Sequence, residues 1–182
     1  MSVTLSIVML GLLAQTGSGE VQVRGRYINY DYAYSVTLPK DLVGHRSAAP
    51  TPNHGFGIDI SKPGKPYVWA DASYNAAEWR SSGDAVRARI NLLRGEGSTE
   101  LSVVKRAATR IGGLTAIRYV IRYRHPDSNA PSMLEAVVAL RRNPGGVAIV
   151  YTLELITSES RYHRDRIVLE SLRRSWMLRP LP

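Results

Sequence analysis

The stretch Leu114–His125, with the sequence LTAIRYVIRYRH, decides the fold of this chain. Apolar and basic side chains alternate along it. One face carries Ile117, Tyr119, Ile121 and Tyr123, and the other carries Arg118, Val120, Arg122 and Arg124. A period of two over this length predicts a half-buried β-strand.

Three more strands are predicted around this stretch. Leu101–Thr109 precedes it across a turn that ends in two glycines, and Met133–Arg142 and Val147–Ile156 follow it. The connection Asn143–Gly146 between the last two is short and Gly-rich, which is typical of a hairpin. Strands joined by hairpins pair antiparallel, so we expect an antiparallel sheet.

Two amphipathic helices flank these four strands. Asn75–Leu93 carries an apolar stripe, with Asn75 as the expected N-cap and Glu78 at the capping-box spacing. Thr157–Trp176 is the second helix, with Thr157 or Ser158 as its cap. Two such helices must cover the apolar faces of the sheet, which predicts an α+β sandwich.

The region before the first helix is expected to add strands and loops. Tyr27–Pro39 alternates with period two and is predicted as one strand, with its tyrosines on the core face. Gly55–Ile60 and Tyr67–Ala72 are predicted as two short strands, and Lys40–Pro52 is predicted as a loop.

The N-terminus has the features of a targeting segment. Residues 1–19 carry no charge, and the apolar run Val3–Ala14 is shorter than the ~20 residues of a spanning helix. Small and polar residues follow it, although no Lys or Arg precedes it. We expect 1–19 to be a signal peptide and 20–182 a single α+β domain without a transmembrane span. A strand or buried helix of the fold is the alternative for the first segment.

Composition narrows the classes of function. The 182 residues contain no cysteine, which excludes disulfides, thiolate metal sites and cysteine nucleophiles. The net charge is +9, and 20 of the 24 basic residues are arginine. Residues 101–182 hold 14 basic and 6 acidic side chains, so the excess lies almost wholly in the second half. Such a balance favours an anionic partner or surface.

The candidate binding surface consists of arginines on the predicted strands and the last helix. These are Arg118, Arg122, Arg124, Arg141, Arg142, Arg164, Arg173 and Arg174, with Arg161 and Arg166 also on that helix. They are expected to meet an anionic envelope component or an acidic protein. Export disfavours nucleic acid, and no nucleic-acid-binding motif is present. A merely solvated arginine-rich surface is the alternative.

Catalytic signatures are missing from the sequence. No G-x-S-x-G, S-x-x-K, H-E-x-x-H or phosphate loop is present. A hydrolase or ligand-binding enzyme would have to use His54, Asp59 or a Glu135–Glu154 pair on neighbouring strands. The pairs His54–Asp59 and His125–Asp127 offer only two metal ligands each. We therefore expect no metal, no cofactor and no enzymatic activity.

The order and spacing of several segments resemble the PsbP-like α/β/α sandwich proteins. The segments are Tyr34–Pro39, Ile111–Leu114 before the long strand, Val150–Leu155, and a closing region with Thr157, Tyr162, Ile167 and Leu172. The resemblance covers residues 27–178 and implies an antiparallel sheet between helices, in accessory or binding proteins without enzymatic activity. No ion-binding motif of that family matches a position here. The sequence thus predicts an exported binding protein, periplasmic or secreted, with the unrecognised enzyme as the alternative.

Overall fold

A computed structural model describes residues 19–49, 53–61, 66–142 and 146–180. The expected signal segment, apart from Gly19, lies outside these residues, as does most of the expected Asn143–Gly146 hairpin connection. The elements are β1 Glu20–Val23, β2 Arg26–Asn29, β3 Tyr34–Thr37, β4 Gly44–Ser47, β5 Gly55–Asp59, β6 Tyr67–Tyr74, α1 Ser82–Gly95, β7 Thr99–Ile111, β8 Leu114–Arg124, β9 Pro131–Arg142, β10 Ala148–Ser158, α2 Tyr162–Ser175 and β11 Met177–Leu178. A single 3-10 turn, Glu159–Arg161, leads into α2.

Eight strands form one antiparallel sheet in the order β1-β4-β5-β6-β10-β9-β8-β7. The long strands β7 to β10 are the four predicted after the first helix, and consecutive ones pair antiparallel. A smaller sheet, β11-β3-β2, packs on one side. The predicted α+β architecture with an antiparallel sheet and two helices is confirmed.

Each face of the large sheet has its own core. The face covered by α1, called here the α1 face, buries Tyr119, Ile121 and Leu134 against Val86 and Leu93. The α2 face packs against α2 and the small sheet, with a core that includes Tyr34, Phe56, Val137, Tyr151, Leu153, Leu169, Leu172 and Trp176. Because side chains alternate along a strand, residue parity in β8, β9 and β10 decides which layer each one meets.

Among the described residues, no helix is long and apolar enough to cross a bilayer.

The single strand predicted over Tyr27–Pro39 is wrong. The chain instead makes the β2–β3 hairpin, whose turn contains Tyr30 and has Ala33 at a φ of 51°. The Asn29 side chain accepts the backbone N–H of Tyr32 and stabilises this turn. Tyr30 is consequently 71% exposed, with the guanidinium of Arg179 over its ring. The alternating pattern of residues 27–39 continues through this turn, so the pattern did not indicate that the chain reverses there.

The loop predicted over Lys40–Pro52 contains β4, and the N-terminal edge strand β1 was also missed. Each has four residues, and β1 pairs with β4 from Glu20↔Ser47 to Val23↔Gly44. Strands this short are held by pairing with neighbours, so local periodicity carries little signal for them.

Both helices begin later than predicted. Asn75 caps a separate turn, since its side chain accepts the Trp79 N–H and donates to the Trp79 carbonyl. Helix α1 starts after Ser81, whose backbone N–H donates to the Asp84 carboxylate at 2.8 Å. Thr157 and Ser158 end β10 instead of capping α2.

Candidate functional site

A fully buried carboxylate, Glu135, anchors a group of arginines on the α2 face. Its strand position opposes Val120, two residues along β8 from Arg118, so the two side chains meet diagonally on the same face. Arg118 forms an ion pair with Glu135, and Arg166 Nε of α2 lies 3.3 Å from the same carboxylate. The Tyr162 hydroxyl donates a hydrogen bond to it. Burial and this hydrogen bond raise the pKa of Tyr162 to about 12, so the phenol keeps its proton.

Glu170 extends the group along α2. Its carboxylate forms ion pairs with Arg118 Nη1 at 2.9 Å, Arg166 Nη2 at 3.4 Å and Arg173 Nη2 at 2.9 Å. Burial alone would raise the pKa of Glu170, but the hydrogen bond and charge of Arg173, with Arg118 and Arg166, hold it below its usual range. Three arginines therefore face two carboxylates, so the group has one basic side chain more than acidic ones.

An open groove of about 770 Å³ runs over this group. We call it the α2 groove; it is lined by Arg118, His163, Arg166, Ile167, Glu170, Ser171, Arg173, Arg174 and Ser175. Arg174 is exposed and makes no ion pair with any carboxylate in the described part of the chain. Ile167 is 69% exposed beside it. The groove thus presents several guanidinium groups around one apolar side chain. Such an arrangement is suited to binding an anionic partner.

The start of α2 is fixed by a second buried carboxylate. Asp165 is 1% exposed and accepts the Thr157 hydroxyl at 2.6 Å and Arg161 Nε at 3.1 Å. Burial would raise the pKa of Asp165, but the hydrogen bonds from Arg161 and Thr157 outweigh it and lower the pKa. This contact sets where α2 begins and therefore how its arginines face the sheet.

This contact predicts a pH dependence of stability. A depressed carboxyl pKa contributes stability above the unfolded value of about 4 and loses it as pH falls through the folded value. Asp165→Asn is expected to flatten the decline in unfolding free energy below about pH 4. Urea unfolding between neutral and acidic pH measures this, with the exposed Asp41→Asn as the control. Equal acid slopes for the two variants would refute the contribution of Asp165.

The sequence-predicted arginines do not all lie together. Arg118, Arg173 and Arg174 line the α2 groove, whereas Arg122 and Arg124 follow further along β8 and face Glu159 at 3.7 Å and Glu100 at 3.0 Å. Arg164 is largely exposed and lies 3.4 Å from Asp165.

The two neighbouring arginines at the end of β9 point to opposite layers. Arg141 donates to the Arg179 carbonyl on the α2 face. Arg142 lies on the α1 face beside Trp79, where both border another recess. The candidate surface therefore centres on α2 rather than on the whole set.

The residues named for a possible enzyme site do not lie together in the structure. Leu155 opposes Glu135 in the ladder, so Glu135 and Glu154 point to opposite faces. Glu154 accepts two hydrogen bonds from Arg89 of α1, from Nη2 at 2.7 Å and from Nε at 3.0 Å. A paired-carboxylate site of these two residues is therefore wrong. His54 stacks on Tyr32 in the α2 layer, whereas Asp59 lies on the other face of β5.

Metal-ligating side chains do not gather within the described ranges. No group of three or more His, Cys, Asp or Glu residues there could hold an ion. His125 and Asp127 lie in one loop, with Nδ1 and Oδ2 3.8 Å apart.

Two members of the site were not recognised as such from the sequence. Tyr162 was assigned to the apolar stripe of the helix, and Glu170 was not considered. The spacing of Arg166, Glu170 and Arg173 at steps of four and three was the available signal, since such residues share one helix face.

Comparison with known proteins supports the fold only at the level of structure. No family model matches the sequence, and no curated protein matches it. Cyanobacterial PsbP (CyanoP) from Synechocystis sp. PCC 6803 is similar with a TM-score of 0.55 and 16% identity, over 93% of this chain and 98% of that chain. LpqN of Mycobacterium tuberculosis, involved in cell envelope biogenesis, gives 0.51 and 10%, over 92% and 88%. The Ran-binding protein Mog1p of Saccharomyces cerevisiae gives 0.55 and 11%, over 88% and 96%.

These similarities establish the fold class. The chain has the PsbP-like fold, as the resemblance in the sequence implied. None of the three names refers to a catalytic activity.

Proposed function

We propose that this chain is an exported, non-enzymatic binding protein that docks an anionic partner, an acidic protein or an anionic envelope surface, in the α2 groove. The observation that carries the proposal is the excess of arginine over carboxylate in the α2 groove. Arg118 and Arg166 are positioned by buried Glu135, while Arg174 is free of carboxylates among the described residues. Preorganised guanidinium groups lose little conformational entropy on binding carboxylate or phosphate.

Three further observations support this function. Residues 1–19 carry no charge and contain an apolar run, which favours export. The carboxylates and histidine named for catalysis are not assembled into one site. Among proteins of the same fold, one binds Ran and another is involved in cell envelope biogenesis.

A charge-reversal capture experiment tests the proposal. Residues 20–182 would be crosslinked in an envelope extract at low salt, as the unchanged chain, as Arg174→Glu and as Arg80→Glu. Arg80 is an exposed arginine beside α1, on the other side of the sheet, so its reversal changes net charge equally. Arg174→Glu is expected to reduce capture about thirtyfold, since removing and reversing a surface charge each costs about 1 kcal/mol. Arg80→Glu should change capture by less than about twofold.

The second part of the experiment measures how capture depends on salt concentration. Capture by the unchanged chain should fall steeply as the Debye length contracts from about 10 Å at 0.1 M to about 3 Å at 1 M. Equal losses in both variants, or capture that is insensitive to salt, would contradict docking in the α2 groove. Phosphatidylglycerol vesicles in place of the extract separate an anionic lipid surface from an acidic protein partner.

A further inference from the structure

A second recess lies on the α1 face, beyond the area that α1 covers. It encloses about 380 Å³ between β1, β4, β5 and β6, and its lining includes Glu20, His45, Gly57, Asp59, Tyr67 and Trp69. The rings of Tyr67 and Trp69 are nearly parallel, with 21° between their planes and centroids 6.1 Å apart. Both side chains are half-buried, so part of each ring remains open to a ligand.

A glycine makes this aromatic surface lie close to the sheet. A Cβ atom placed on Gly57 would come within 2.2 Å of the Tyr67 hydroxyl and 2.6 Å of its ring. Any side chain at this position would lift the Tyr67 ring away from the strand. Glycine at position 57 therefore leaves room for the Tyr67 ring to lie flat against the sheet and form the floor of the recess.

The recess is acidic although the chain as a whole is strongly basic. Glu20 is 67% exposed at its rim, with His45 Nδ1 3.4 Å from its carboxylate. Burial and the negative charges of Asp59, Glu154 and Glu20 raise the pKa of Tyr67 to about 12, so these carboxylates all act on this ring. Arg46 also borders the recess, but by strand alternation its side chain points to the face opposite to that of His45.

Among the residues that the structure describes, other charged groups near this face do not reverse its character. Arg89 of α1 pairs with Glu154, so these two groups compensate each other and the acidic excess consists of Glu20 and Asp59. Asp71 lies two residues beyond Trp69 on the same face, and burial raises its pKa. An electron-rich ring surface flanked by carboxylates attracts cations, and quaternary ammonium groups are bound in proteins by such sites.

We propose that the Tyr67–Trp69 recess binds an organic cation, an alkylammonium group seated on the two rings and facing Glu20. Charge complementarity selects this ligand over neutral ones, since acidic groups surround a ring pair in a chain of net charge +9. The site is independent of the α2 groove, because it lies on the opposite face of the sheet and takes ligands of the opposite charge.

A titration with choline and its neutral isostere, 3,3-dimethyl-1-butanol, tests this inference. The two molecules share a shape but differ in charge. The Trp69 indole N–H, assigned in ¹H–¹⁵N spectra by Trp69→Phe, reports occupancy. Choline is expected to bind saturably in the millimolar range and at least about fivefold more tightly than the isostere.

Variants locate the site. Trp69→Leu, followed through the backbone amides of Gly57 and Tyr67 because it lacks the indole, should weaken choline binding at least about fivefold. Glu20→Gln should weaken it about threefold. Glu100→Gln removes an equally exposed carboxylate on β7 and should leave binding unchanged. Equal affinity for the isostere, no saturable shift of the Trp69 indole, or undiminished binding by Trp69→Leu would each overturn the proposal. Backbone spectra of every variant establish that it is folded.

Discussion

Glu135→Ala is expected to lower the free energy of unfolding by about 3–5 kcal/mol, because it removes a buried carboxylate and leaves Arg118 and Arg166 to share Glu170. The side chain of Glu135 is fully buried, and that of its partner Arg118 is only 13% exposed. Tyr162 loses its acceptor and Arg166 loses one of two carboxylates. Denaturant unfolding monitored by circular dichroism measures the effect.

Glu100→Ala is the matched control for this substitution. The Glu100 side chain is 67% exposed and pairs with Arg124 at 3.0 Å, so its removal should cost at most about 1 kcal/mol. If Glu135→Ala were no more destabilising than Glu100→Ala, the buried ion cluster would not stabilise the fold. The orientation of the α2 arginines would then need another explanation.

The second large effect is expected at Trp176, the residue that follows α2. Its ring is 3% exposed and stacks on Tyr34 with centroids 4.5 Å apart and planes 6° apart. It also meets Tyr151 edge to face, so it joins α2, the small sheet and the large sheet. Trp176→Ala should lower the unfolding free energy by about 3–5 kcal/mol through lost burial and the remaining cavity.

The neighbouring Met177 provides a control at the next position of the chain. It is 57% exposed, so Met177→Ala should change the unfolding free energy by less than about 1 kcal/mol. A loss of less than about 1 kcal/mol for Trp176→Ala would show that the aromatic stack does not hold the layers together. Thermal unfolding scans would record both variants.

The long strands were predictable because each carries its own signal. Leu114–Arg124 alternates over eleven residues, and β9 and β10 are long enough for apolar character to stand out. The β2–β3 hairpin was not predictable, since Tyr30 and Tyr32 continued the alternation while Asn29 and Ala33 turned the chain. The strands β1 and β4 depend on each other for pairing and carry too few residues to show a period.

The candidate site was predictable in composition but not in arrangement. The arginines of α2 and β8 stand out in the sequence, yet the layer that each one reaches depends on ladder register. Register places Leu155 opposite Glu135 and so sends Glu135 to the α2 arginines and Glu154 to Arg89. Burial of Glu135 follows from α2 lying over it, which no local pattern reveals.

The two proposed binding surfaces lie on opposite faces of the large sheet and differ in charge. The positive excess of residues 101–182 is concentrated partly in the α2 groove, whereas the Tyr67–Trp69 recess on the other face is acidic. The proposals thus assign two surfaces of opposite charge to a chain of net charge +9.

A chemical-shift titration of residues 20–182 with a short tetra-aspartate peptide tests the docking of anions in the α2 groove most directly. The largest amide shifts are expected on α2 between His163 and Ser175 and on Arg118 of β8. These shifts should shrink in Arg174→Glu and at high salt, while Arg80→Glu leaves them in place. Shifts spread evenly over exposed arginines, or concentrated beside α1, would contradict the account.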